Sequence, residues 1–90
     1  MLQTIQIIVT GKVQGVFFRH HTKEKAIELN ITGTVENISD GSVKIIATGN
    51  KEQLHKLIEW CRKGPSRAIV EKISVEETAE TNFPDFRIMR

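Results

Sequence analysis

The 90-residue chain holds one cysteine, Cys61, so no internal disulfide is available and the fold cannot depend on one. A lone thiol of this kind is expected in a reducing compartment. No Cys-x-x-Cys pair occurs, which excludes the small zinc and copper modules. No apolar run approaches the roughly 20 residues of a membrane span, so no membrane partner is expected. The opening "MLQTIQIIVT" lacks a basic leader and turns polar at Gln3. It reads as a strand rather than a signal peptide, and the expected location is the cytoplasm. Charge is also undramatic. Thirteen Lys and Arg against eleven Asp and Glu give +2 and a pI near 8.9, with no run of one sign. Nucleic-acid binders carry a denser basic stripe, so nucleic acid is not an expected partner, whereas small anions are. Repeats, low-complexity tracts and linkers are missing too. Ninety residues therefore make one domain, residues 1–90, able to bury roughly 60–65% of its unfolded surface.

What is present alternates between the periods of strands and helices. In "QTIQIIVT", Ile5, Ile7 and Val9 face one way and Gln6, Ile8 and Thr10 the other, a strand with one buried face. From Phe18 the spacing turns helical, with Phe18, Thr22, Ala26 and Leu29 on one face and Asn30 at the end. "TGTVENIS" and "SVKIIATG" flank Asp40-Gly41, a strong hairpin signal. Asn50 and Gln53 have capping-box spacing ahead of the stripe Leu54, Leu57, Ile58 and Cys61, and Gly64-Pro65 stops that helix. "AIVEKISVEE" alternates less cleanly, because Glu71 shares a side with Ile69, Ile73 and Val75, and "FRIMR" forms a short final strand. The fold class is α+β. It is a ferredoxin-like split βαβ sandwich, an antiparallel sheet with two helices on one face, the first and third strands central. That fold hosts many functions, so function must come from particular residues.

The unusual stretch is "TGKVQGVFFRHH". A turn from strand into helix leaves backbone N–H groups unpaired, and the helix dipole adds positive charge. Gly11 and Gly15 permit the positive φ that curls such groups inward into an anion nest. Arg19 stands near the helix start, where the dipole disfavours a cation unless an anion joins it or a surface carboxylate such as Glu24 pairs with it. Its planar guanidinium matches phosphate oxygens. Val13 and one of Val16 and Phe17 are expected to plug the sheet end, and Lys12 to be solvated. Asn37 shares a strand face with Val35, where a buried amide needs partners. It either prepares the turn at Asp40-Gly41 or holds a water near the cradle. His20, His21 and His55 read as exposed, with adjacent His20 and His21 pointing apart. Trp60 and Cys61 read as core.

At these residues the chain resembles the acylphosphatase family, small enzymes that hydrolyse acyl phosphates. "GKVQGVFFR" carries the resemblance, "GTVENISDGSV" supports it independently, and it spans essentially the whole chain. It implies a phosphate-binding loop of Gln14, Gly15, Val16, Phe17, Phe18 and Arg19, able to hold phosphate or sulfate. It further implies Arg19 as the phosphoryl-binding arginine and Asn37 as the residue that positions the attacking water. No metal, no other cofactor and no covalent intermediate are implied. The expected reaction cleaves the carboxyl–phosphate bond of a small-molecule acyl phosphate, and a monomer is expected. Thr34, Glu36 and Asn30 replace a frequent aromatic, basic residue and glycine, and the chain ends in Met89-Arg90 where an aromatic is frequent. Glu36 is expected to weaken the attraction of anionic substrates.

Overall fold

A computed structural model describes residues 1–89. It contains β1 (Gln3–Lys12), α1 (Phe18–Glu28), β2 (Thr32–Asn37), β3 (Val43–Gly49), α2 (Lys51–Lys63), β4 (Ile69–Thr78) and β5 (Phe86–Ile88). The strands form one sheet in the order β4-β1-β3-β2-β5. Within the four strands β4-β1-β3-β2 the first and third are central, as the split βαβ reading requires, and β5 is added outside β2. Ile5, Ile7, Val9, Val35, Val43, Ile45 and Ala47 point to one face and are buried there with Phe18, Ala26, Leu54, Leu57 and Cys61 of the helices. Phe18 meets Trp60 at a ring-centroid distance of 5.6 Å, which joins the two helices over the sheet.

The sheet is antiparallel across four strands, but β5 pairs parallel to β2, so the whole is mixed. The register explains the direction. β4 ends beside Thr4, at the start of β1, and the start of β1 lies opposite the end of β3. β2 begins at that same end. The chain crosses there, with Thr81 N–H donating to Thr4 Oγ1 at 2.9 Å and Thr48 Oγ1 donating to the Thr81 carbonyl at 2.6 Å. It therefore enters β5 in the direction of β2. Arg90, the last residue of the expected final strand, lies outside the described residues.

A bulge resolves the mixed faces of β4. Thr10 lies opposite Lys72 but Gly11 lies opposite Val70, so Glu71 is extra and the alternation slips by one. Val70 and Ile73 both pack on the core while Glu71 is exposed. Gly11 has φ +127, and a Cβ there would come within 2.2 Å of the Ile69 carbonyl oxygen, so the bulge needs glycine. At the end of α1, Asn30 takes φ +59 while its N–H bonds the Ile27 carbonyl and the Ile31 N–H bonds that of Ala26. This is the two-bond left-handed helix stop that asparagine tolerates.

Candidate active site

The end of β1, the start of α1, the end of β2 and the end of β5 meet at one end of the sheet. They enclose a cavity of about 250 Å³ lined by Val13, Gly15, Phe17, Phe18, Arg19, His20, Asn37 and Ile88. Val13 and Val16 are buried, plugging the sheet end as expected, and Lys12 is exposed.

The loop into α1 is curled at two places. Gly15 has φ +75, and a Cβ there would meet nothing within 4 Å, so its requirement is conformational. Phe17, the residue just before the helix, has φ 62 and ψ 24. That left-handed conformation costs a residue with a side chain roughly 1–2 kcal/mol. No side chain caps α1 and its first turn holds no acid. The first N–H to find an intrahelical acceptor is that of His21, on the Phe17 carbonyl at 3.1 Å. Among the described residues, the N–H groups from Gly15 to His20 have no protein acceptor. An uncapped helix start with a curled approach suits a tetrahedral oxyanion.

Arg19 is half-buried beside these donors. Its Nη1 donates to the Met89 carbonyl at 3.4 Å, a long bond that ties the guanidinium toward β5. Glu24, the surface carboxylate that sequence alone left open as its partner, instead faces His20 at 3.5 Å and His21 at 3.2 Å. Among the described residues no carboxylate lies within ion-pair distance of Arg19.

Asn37 ends β2 on the same face as buried Val35 and lines the cavity. Its Oδ1 is buried and receives no hydrogen bond among the described residues. An orphaned buried carbonyl oxygen forgoes roughly 1–3 kcal/mol, so it calls for a donor from outside the protein. A water O–H is the simplest such donor. The turn that Asn37 was the alternative candidate to prepare is held by others. Asp40 Oδ1 accepts from Ser42 N–H at 2.9 Å and Ser42 Oγ at 2.6 Å. These bonds, the hydroxyl's foremost, hold the Asp40 carboxyl below its ordinary range.

The six loop residues divide by what their side chains do. Gly15, Phe17, Phe18 and Arg19 line the cavity, while Gln14 and Val16 do not. Gln14 Nε2 donates to the carbonyls of Ile38 at 2.8 Å and Ser42 at 2.9 Å. Its side chain thus clamps the loop to the hairpin that follows Asn37 and fixes the spacing of the two halves of the site. That brace was not visible in sequence, because it depends on the end of β1 pairing with the start of β3, which brings the β2–β3 turn beside the loop. Ile88 was missed for a related reason, since only the parallel docking of β5 brings it here. His20 lines the cavity without belonging to a metal cluster. Among the described residues no three His, Cys, Asp or Glu side chains stand together to hold a metal ion. Glu36 alternates with Asn37 and so lies on the open face, opposite Lys44 and away from the cavity. Its charge is therefore less able to repel a ligand than its position next to Asn37 suggests.

Comparison with known proteins identifies the family to which the chain is similar. The acylphosphatase family model matches residues 5–88. An acylphosphatase of Syntrophus aciditrophicus is 46% identical over 90 residues, covering 99% of this chain and 94% of the relative. One from Marinobacter nauticus is 49% identical over 82 residues, covering 90% and 89%. The solved structure of an acylphosphatase from Coxiella burnetii superposes with a TM-score of 0.95 at 41% identity, covering 98% of this chain and 93% of that one.

Proposed function

Because the chain belongs to the acylphosphatase family and is an acylphosphatase, we propose that Arg19 and the free loop amides hold the phosphoryl group while Asn37 positions the water that attacks it. The observation that carries this reading is the buried, donor-less Oδ1 of Asn37 in the wall of a cavity that Arg19 and an uncapped helix start also line.

An acyl phosphate is a mixed anhydride whose leaving group is a carboxylate. It departs with the bonding electron pair and needs no proton, so the reaction needs no general acid. What remains is positioning and charge stabilisation. The guanidinium and the N–H groups of Gly15 to His20 supply positive charge where the equatorial oxygens gather negative charge. Asn37 Oδ1 accepts one O–H of the water and aims its lone pair at phosphorus. As the new P–O bond forms and the acyl–O–P bond breaks, the water's proton passes to a phosphoryl oxygen, leaving inorganic phosphate and carboxylate. An arginine on a transferring phosphoryl group is worth about 10³–10⁵ in rate. Inorganic phosphate or sulfate in the loop, action as a monomer and a cytoplasmic location belong to the same reading; the single buried thiol supports the last.

The test is benzoyl phosphate hydrolysis by wild type, Arg19→Ala and Asn37→Ala, each in excess chelator. Wild type is expected to keep its full rate with chelator present, and both variants to lose most of theirs. Near-wild-type kcat in both variants, or a chelator-induced loss that Mg²⁺ restores, overturns the mechanism.

A further inference from the structure

We infer that the exposed ring of Phe17, with Ile88 beside the same cavity, is the contact surface for the acyl group, so that the enzyme favours acyl phosphates with aromatic or extended apolar acyl groups over acetyl phosphate. The inference rests on the mechanism above, in which attack is in line. If water is held by the buried Oδ1 of Asn37, the leaving carboxylate departs on the opposite side of phosphorus. Asn37 Oδ1, Val13 and Phe18 are buried, so they form the floor. The leaving group must then point to the mouth.

The residues at the mouth are few. Phe17 is 67% exposed, the largest exposed aromatic surface at the site, and it lines the cavity. Val16 next to it is buried, so the loop discriminates sharply between its two neighbouring apolar residues. The left-handed backbone at Phe17 turns its ring out rather than in, and nothing in the core uses it. Ile88, half-buried on β5, gives a second apolar contact from the other side of the chain. Gly15 is exposed there but has no side chain, and His20, the other exposed lining residue, is engaged with Glu24. An apolar group emerging from the phosphoryl site therefore meets a ring and a branched alkyl group. An acetyl group offers them a single methyl.

The experiment compares kcat/KM for benzoyl and acetyl phosphate, with inorganic phosphate as an inhibitor, in wild type, Phe17→Asn and Ile88→Thr. Asparagine accepts the left-handed conformation, so Phe17→Asn removes the ring while keeping the backbone. The benzoyl-to-acetyl ratio is expected to fall roughly tenfold in Phe17→Asn, chiefly through KM, and by a smaller factor in Ile88→Thr, as loss of an apolar contact in a specificity site does. An unchanged ratio in both variants overturns the inference. So does an equal fall for both substrates with parallel weakening of phosphate inhibition, which assigns Phe17 to the loop backbone alone. Arg19→Ala run alongside separates the two levels. Full retention of acetyl phosphate hydrolysis there removes the mechanism and this inference with it, whereas a flat ratio with Arg19→Ala inactive removes only the acyl surface.

Discussion

The two helices begin in opposite ways. α2 starts after Asn50, whose side chain accepts from Gln53 N–H at 2.8 Å while Gln53 Oε1 accepts from Asn50 N–H at 2.8 Å, and its first turn carries Glu52. The N–H groups and the dipole are satisfied from within the chain. α1 starts after Phe17 with no capping side chain, no acid and an arginine in its first turn. By local rules α1 is the poorer start by about 1 kcal/mol or more. The same fold thus contains a finished helix end and an unfinished one, and the unfinished one faces the cavity. What distinguishes a ligand site from a structural terminus here is the withholding of ordinary stabilisation.

The comparison breaks most visibly at Arg19. Replacing it with alanine is expected to lower kcat for benzoyl phosphate by about 10³–10⁵. Thermal stability should barely move, because its one hydrogen bond among the described residues is 3.4 Å long. A kcat within tenfold of wild type makes the unfinished end a mere structural quirk. Asn37→Ala comes next, with kcat falling on the order of 10²-fold when the water loses its alignment. Here the sign of the stability change is informative. Deleting a buried oxygen that receives no hydrogen bond should leave Tm unchanged or raise it. A clear fall in Tm instead assigns Asn37 to the turn.

The architecture was legible because its signals are local. The alternation in "QTIQIIVT", the Asp40-Gly41 turn and the Asn50/Gln53 box each survive in the structure. What sequence left unresolved depends on long-range register. Glu71 looked misplaced until the bulge opposite Gly11 shifted its face. β5 carries no mark of its direction, which follows from where β4 ends. At the site, Arg19 and Asn37 stand out as residue types that offend local rules, a cation at a helix start and an amide on a core face. Gln14 offends none, so its clamp on Ile38 and Ser42 shows only once the end of β1 is paired with the start of β3. Which of Val16 and Phe17 plugs the sheet end stayed open, because apolar character does not reveal which way a loop residue turns; it is Val16.

The closed helix also predicts a pH response. Burial of Cys61 in the stripe of α2 pushes its thiol up from 9.0 to about 12. A folded-state pKa above the unfolded one means the folded protein binds the proton more tightly. Its contribution is then fully present below pH 9 and lost as pH rises toward 12. At pH 10 the loss is on the order of 1 kcal/mol. Denaturant midpoints at pH 8 and pH 10 should show it, and Cys61→Ala should flatten that part of the profile although it lowers stability throughout. An equally steep fall in Cys61→Ala assigns the response to other groups.

The smallest effect sharpens the contrast most. Asn50→Ala opens the start of α2 and is expected to lower stability by about 1 kcal/mol with no change in kcat. Inorganic phosphate then reports which open end can accept an anion. A ligand that binds only the native state stabilises it by an increment set by its concentration over Kd. Wild type and Asn50→Ala should gain the same increment in Tm at saturating phosphate, whereas Arg19→Ala should gain little. An extra gain confined to Asn50→Ala means that any unsatisfied helix start in this fold recruits phosphate. Equal gains in Asn50→Ala and wild type mean that the dipole and bare N–H groups are insufficient, and that the curl at Gly15 and Phe17 together with the Arg19 guanidinium make the difference.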